Sequence, residues 1–298
     1  MKMQKLGAIE ISKVTELPGL AMQATSLMPN ITAEILAEGR TWLGPQFIDP
    51  AAEIVYLSFH SYVVKTPRHN ILVDTCCGND KPRESMPAWH KLNTPYLQEL
   101  AALSLRPEDI DIVLCTHLHA DHVGWNTRLI DGQWVPTFPN ARDIMGKHEY
   151  EHWHRLHAAN PPTPVNRGSF ADSVLPVVER GQAMMVASDF CVDIELGEGV
   201  WLEPSPGHSP GHVCVHVTGG GQHALLAGDA IHHPLQLTHP NLSIAADFDR
   251  AQAEATRRHM LERCADTPTL LLTAHFPTPT AGRVTRHKDS FRFKFADH

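Results

Sequence analysis

Three histidines and a carboxylate fall within six residues in Thr116-His117-Leu118-His119-Ala120-Asp121-His122, directly after the apolar run Ile110-Asp111-Ile112-Val113-Leu114-Cys115. Imidazole and carboxylate donors at that density exceed the needs of one ordinary metal site, and they stand where a buried strand would surface, so they read as half of a two-metal site. The chemistry of such a site is hydrolytic. Two divalent ions about 3.5–4 Å apart hold a hydroxide at neutral pH and polarise a carbonyl or phosphoryl oxygen, so no serine nucleophile is needed. One loop cannot complete two sites of four or five ligands, which requires further donors downstream at strand ends. Pro206-Gly207-His208-Ser209-Pro210-Gly211-His212, Gly228-Asp229 after Leu225-Leu226-Ala227, and His275 after Leu270-Leu271-Leu272 meet that requirement.

The elements that must carry these residues are legible in outline. Ile9–Leu17 alternates as an edge strand, and Thr32 caps a helical segment that runs to Gly39. Glu53–Lys65 and Asn70–Asp74 are β-rich runs joined by the hairpin signal Thr66-Pro67-Arg68-His69. Asp74 surfaces before Thr75-Cys76-Cys77-Gly78, where it could either cap the turn or accept a hydrogen bond from a metal-bound histidine. A helix over 93–103 and a short connection lead into the strand before the motif, Ala141–Met145 is a further strand, and Glu149–Ala158 a helix. That helix carries His148, His152, His154 and His157. The first two share a face, but the H-E-x-x-H general base is missing, so a solvated face is the plain reading. Past the Pro-rich break at 160–164, strands are expected over 192–196, 200–203, 213–217 and 223–227, then a helix over 248–264, a buried strand over 269–273, and an alternating edge strand over 290–295. Strands and helices alternate throughout. The expected fold is therefore α/β, with two sheets packed face to face and helices outside, in one domain over 1–298 whose two αβ halves break near 160–182.

Composition supports this class and excludes others. A chain of 298 residues, 42% apolar, builds a substantial core. A net charge of -8, from 25 Lys+Arg against 33 Asp+Glu, is the wrong sign for gripping nucleic acid. No apolar run is long enough to span a membrane, and the N-terminus lacks a secretory signal, so a cytoplasmic location is expected. The six cysteines form no C-x-x-C pair and read as reduced thiols. The vicinal Cys76-Cys77 could be redox-active or simply two small residues in a strand-end turn. Twenty-one histidines make any isolated His-x-His weak evidence. Homodimerisation is the default expectation for a soluble enzyme.

Taken in order, Asp74, His-x-His-x-Asp-His, Gly-His, Gly-Asp and a late His, the chain resembles the metallo-β-lactamase superfamily of binuclear metal hydrolases from Asp74 to His275. The resemblance implies the αββα four-layer sandwich of that family. It also implies that His117, His119 and His208 hold one metal, that Asp121, His122 and His275 hold the other, and that Asp229 bridges them. Asp74 matches a family acid that supports the site from behind, and His212 is expected to pack or support rather than ligate. Zn2+ is the expected ion, with Mn, Fe or Co compatible with the same donors. Asp121 could also orient the water or take its proton. His232 falls where quorum-signal lactonases of the family place a substrate-touching tyrosine, and could donate to a developing oxyanion, or His232 and His233 merely cap the loop before Pro234.

Within the superfamily, the bridging Asp229 and the missing secretion signal disfavour true β-lactamases. Thioesterases of the glyoxalase II type carry a helical domain after the last ligand, whereas 23 residues follow His275 here. Diiron oxygen reducers have Glu in place of His119, and RNA-processing relatives bind polyanions. The remaining expectation is a lactonase or esterase acting on a small molecule, with a phosphotriesterase as alternative: His275-Phe276-Pro277 with Pro279 resembles the tail of the methyl parathion hydrolase-like enzymes. A non-catalytic metal-binding scaffold is a third reading. Trp125 stands where many relatives have a second glycine, which implies a reshaped pocket floor. Trp42 and Phe47 are either packing residues or a pocket wall.

Overall fold

Apolar runs bounded by turn residues build two mixed sheets in the computed structural model, which describes residues 2–159, 163–195 and 198–296. The chain partitions into a first unit of residues 3–17 and 59–190 and a second of residues 1–2, 18–58 and 191–298. The last boundary of this partition falls at 190/191. Residues 160–162, in the stretch expected to separate the halves, lie outside the described residues, as do Leu196, the expected end of one strand, and residue 197.

The first unit's sheet runs in the order Gln4–Leu6, Ile9–Gln23, Ile54–Lys65, Asn70–Val73, Ile112–Leu114, Arg142–Gly146, Ala183–Val186. Ile9–Gln23 is one strand in from the edge, because Gln4–Leu6 pairs outside it. Lys65 pairs with Asn70 across the Thr66–His69 turn, where Thr66 N–H donates to the His69 carbonyl. Ile112–Leu114 has a parallel neighbour on each side, and all three of its residues are buried, which is why its sequence reads as unbroken apolar. Tyr96, Leu100, Phe170, Val174 and Val177, from the helical segments of this unit, pack in one cluster with Val113, Cys115, Leu118 and Met145. A hairpin of Thr127–Ile130 with Gln133–Pro136 follows the motif. Its turn is Asp131-Gly132, with φ of 50° and 78°, the pairing of residue types a type I′ turn favours.

The second unit's sheet runs Cys191–Glu195, Glu198–Pro204, Val213–Gly219, Gln222–Leu226, Leu270–Leu272, Ala281–His287, Ser290–Phe295. The alternating Ser290–Phe295 is at its edge, as its pattern implied. The Arg250–Cys264 helix starts at Asp249, whose Oδ1 accepts from Gln252 N–H at 3.0 Å. Phe47 is buried, its ring against Phe276 and Phe295, so it is a packing residue of this unit. Among the described residues no helix is long and apolar enough to cross a membrane.

Asp143, in the Arg142–Gly146 strand, is 2% exposed. Burial pushes its carboxyl up to about 8, against the pull of Arg142. Because the folded value lies above the unfolded one, the stability this neutral carboxyl permits is fully present below about pH 4 and is lost as pH climbs to about 8. Asp143→Asn should therefore match the wild type near pH 4 and become more stable than it by up to about 1.4 kcal/mol per pH unit until pH 8. Thermal unfolding of both proteins across that range checks this; a gap that fails to widen contradicts it.

Candidate metal-binding residues

The first unit presents the histidine motif at the C-terminal end of Ile112–Leu114, and Asp74 fixes its shape. Asp74 follows the neighbouring strand, and its amide donates to the Leu114 carbonyl at 2.9 Å. Its Oδ1 accepts from Thr116 N–H at 2.8 Å and its Oδ2 from Thr116 Oγ1 at 2.9 Å. The same Oδ2 lies 3.0 Å from His122 Nδ1. One buried carboxylate thereby ties the first residue of the motif to its last. With Nδ1 donating to Asp74, His122 keeps its lone pair on Nε2, which is 3.8 Å from Asp121 Oδ2. His117 sits within ring contact of both other histidines, at centroid distances of 4.6 Å from His119 and 4.1 Å from His122. All four motif residues thus converge at one strand end.

The turn beneath them allows no side chain at Gly124. A Cβ there would lie 1.9 Å from the Cys77 carbonyl oxygen, while the Gly124 amide donates to the Cys76 carbonyl at 2.7 Å. Glu16, buried, accepts from Cys77 N–H at 2.7 Å, Gly78 N–H at 3.2 Å, Thr94 Oγ1 at 3.1 Å and Trp125 Nε1 at 2.6 Å. Trp125 is therefore a core residue, stacked on Tyr96 with centroids 5.1 Å apart, and the expected reshaping of a pocket floor gives way to packing. Cys76 and Cys77 are buried, and burial pushes both thiols well above the usual range. Thiols held protonated in this way suit the packing reading of the pair.

The second unit gathers its donors around Asp229. Asp229 Oδ2 is 3.2 Å from His208 Nε2 and 3.1 Å from His232 Nε2, and Oδ1 is 3.1 Å from His275 Nε2. All four residues are buried. The opposite nitrogens of two rings are held: His208 Nδ1 by Asp247 Oδ1 at 2.9 Å, and His275 Nδ1 by the Ser58 carbonyl at 3.1 Å. Burial works against a charged His208, but Asp229 and Asp247 together raise it to about 9. Burial pushes His232 down to about 4 despite Asp229 beside it. An imidazole whose Nδ1 is spoken for and whose Nε2 meets a buried carboxylate is oriented as a metal ligand is, so the donor set fits divalent metal. Asp229, His232 and His275 offer ligand atoms that all lie within 4.8 Å of one another.

Local sequence explains this geometry. Gly207 adopts φ +129°, and a Cβ on it would meet the Ala253 amide nitrogen at 2.3 Å, so the Gly-His pair lets the long helix approach the turn that carries His208. His212 is not oriented as a ligand: its Nε2 accepts from the Asp229 amide at 2.9 Å and its Nδ1 meets Ser205 Oγ at 2.7 Å. It braces the Asp229 backbone. The loop around Pro234 is capped by His233, whose Nδ1 accepts from Leu235 N–H at 3.2 Å, and by Gln236, whose Oε1 accepts from His232 N–H at 2.8 Å and His233 N–H at 3.3 Å, while the His232 ring is turned to Asp229. Asp247, Glu16 and Gln236 escaped the sequence reading. Asp247 stands two residues before the helix cap Asp249 and looks like a second capping acid, while nothing in Glu16-Leu17-Pro18 marks a buried clamp.

Comparison with known proteins places this geometry in context. The model of the metallo-beta-lactamase superfamily matches residues 59–275. A probable metallo-hydrolase of Mycobacterium tuberculosis is 28% identical over 192 residues, covering 60% of this chain and 58% of that protein, so the match spans less than two thirds of the relative. An N-acyl homoserine lactonase of Rhizobium rhizogenes is 30% identical over 94 residues, 28% of this chain and 34% of the relative. Among solved structures, a dizinc quorum-quenching lactonase in complex with a product shares the fold, with a TM-score of 0.76 at 20% identity over 100% of this chain and 97% of that one.

Two outcomes follow from this geometry. Gly124→Ala forces the Cys77 carbonyl aside and should lower stability by about 3 kcal/mol or more in urea unfolding; a loss within error would mean that the turn yields freely. Asp247→Ala removes the acceptor that orients His208 and should weaken zinc binding about tenfold or more in chelator competition, and unchanged affinity would remove Asp247 from the account.

Proposed function

The chain belongs to the metallo-β-lactamase superfamily, and on that premise we propose that it is a metal-dependent hydrolase holding two divalent ions, zinc by preference. His117, His119 and His208 would hold one ion, Asp121, His122 and His275 the other, and Asp229 both. The observation that carries this reading is the Asp229 carboxylate, buried among imidazoles that turn Nε2 toward it while Asp247 and Ser58 hold their other nitrogens. The family match runs through both units of the chain, which supports reading it as one catalytic domain.

Two ions so held supply a water ionised at neutral pH and a Lewis acid for the substrate's oxygen. The chain's own groups do the remainder. Asp74 and Asp247 keep His122 and His208 in fixed tautomers and orientations, so the site is organised before substrate arrives. The Asp121 side chain, 14% exposed against 2% for Asp229, is the carboxylate able to orient the attacking water or accept its proton. His232, with Nε2 on Asp229 and no hydrogen-bond partner for Nδ1 among the described residues, is the proposed contact to oxygen that gains charge in the transition state, donating from Nδ1 in the tautomer that carries its proton there.

The proposed substrate is a small lactone or ester, neutral or weakly charged. The similarity to lactonases supports it, as does the negative charge of the chain, which disfavours polyanions. Six free thiols suit the reducing cytoplasm proposed as its location. A phosphotriester is the second reading, favoured by the His275-Phe276-Pro277 tail. Metal analysis should return about two ions per chain, and zinc-loaded protein should hydrolyse lactones or esters faster than paraoxon-like triesters. Asp229→Asn should abolish that activity. The reverse ranking selects the phosphotriesterase; metal-replete protein inert on all three classes overturns the hydrolase.

A further inference from the structure

Leu118, the residue between His117 and His119, is gripped at both of its backbone polar groups. Its N–H donates to Glu149 Oε1 at 3.2 Å, and its carbonyl accepts from Asn166 Nδ2. Glu149 is 1% exposed, in the first turn of the Lys147–Ala159 helix. The same Oε1 accepts from Trp153 Nε1 at 2.7 Å one turn further on. The Trp153 ring then meets the His119 ring edge-on, with centroids 5.6 Å apart. A single carboxylate oxygen therefore fixes both the His117–Leu118 peptide and the indole against the His119 ring.

Asn166 reaches Leu118 from an uncommon backbone. Its φ and ψ are 51° and 50°, those of Arg167 are 55° and 21°, and Gly168 follows at φ 91°. Each non-glycine residue in this left-handed region costs about 1–2 kcal/mol, and two in succession persist only where their surroundings over-determine them. Arg83 is that restraint. Buried, it donates through Nη1 to the Arg167 carbonyl at 3.2 Å and grips Asp172 with bonds of 2.6 and 2.8 Å. Ser169 Oγ closes the turn on the Asn166 carbonyl at 2.8 Å. A turn needed only for connection would relax to ordinary dihedrals; this one is held so that an amide reaches the peptide between two ligands.

We propose that Glu149 and Asn166 are positioning residues that set the spacing and ring orientation of His117 and His119 for the metal they hold. The inference rests on the two-metal reading above and adds residues that no ligand motif contains. Holding the His117–Leu118 peptide by its N–H and the Leu118–His119 peptide by its carbonyl resists rotation about the backbone of Leu118, which would swing the two imidazoles apart. The test uses variants that leave the backbone unstrained. Glycine accepts φ 51°, so Asn166→Gly removes the amide alone. Glu149→Gln keeps an acceptor oxygen, and Glu149→Ala removes it.

Cobalt(II) titration with chelator competition, read from the visible d–d bands, is run beside thermal unfolding of the metal-free proteins. N166G and E149A should weaken one of the two cobalt ions about tenfold and shift its band, leaving the other ion and E149Q within about threefold of wild type. Wild-type affinity and spectrum in N166G overturn the proposal, as does lowered metal-free stability with an unchanged spectrum; if E149A does not fold, N166G decides. Wild-type protein that takes up fewer than two cobalt ions overturns the two-metal reading itself, and this inference with it.

Discussion

A carboxylate with 2% of its side chain exposed, set among three imidazoles of the second unit, governs what the surrounding chain must do. An ionised group removed from water costs several kcal/mol unless opposite charge and hydrogen bonds compensate it. Asp229 has both. Against the effect of burial, Asp229 and Asp247 raise His208 to about 9, so the acids on either side of it favour positive charge at this position. Asp229, His208 and His275 are held in place, because His212 holds the Asp229 amide and Asp247 and Ser58 hold the far nitrogens of His208 and His275.

The first unit solves the matching problem with a different device. Its donors come from one short loop, so the loop itself must be rigid. Asp74 ties Thr116 to His122, Gly124 lets the Cys77 turn lie against it, and Glu16 gathers four donors beneath it. Each of these supports is buried. Buried acids that accept several hydrogen bonds resist rearrangement, because withdrawing any donor leaves lone pairs unsatisfied in a dry interior. The same logic places Arg83 and Asp172 behind the turn that presents Asn166.

Much of this was readable from the chain. The candidate ligand motifs are local, and those at His117, Asp229 and His275 follow apolar runs that form buried strand ends, so their positions are legible in the sequence. What local pattern could not supply was the supporting shell. Glu16 meets Cys77 across 61 residues and Asn166 meets Leu118 across 48, and nothing near Glu16 or Asn166 distinguishes either from an ordinary surface residue. Glu149 was hidden by its neighbours, since the histidines of its helix drew the attention that the acid deserved. Trp125 was misread for the converse reason: its place in the family pattern pointed to a pocket, while its ring had already found Tyr96 and its indole nitrogen Glu16. The Asp131-Gly132 hairpin carries a clear turn signal between its two short strands.

The central claim is that Asp229 serves two metal ions at once. Anomalous scattering collected at the zinc edge on crystals of zinc-loaded protein tests it directly. The account predicts two peaks per chain, one with His117, His119 and His208 as neighbours, the other with Asp121, His122 and His275, and the Asp229 carboxylate between them. A single peak, or two peaks neither of which contacts Asp229, would contradict it.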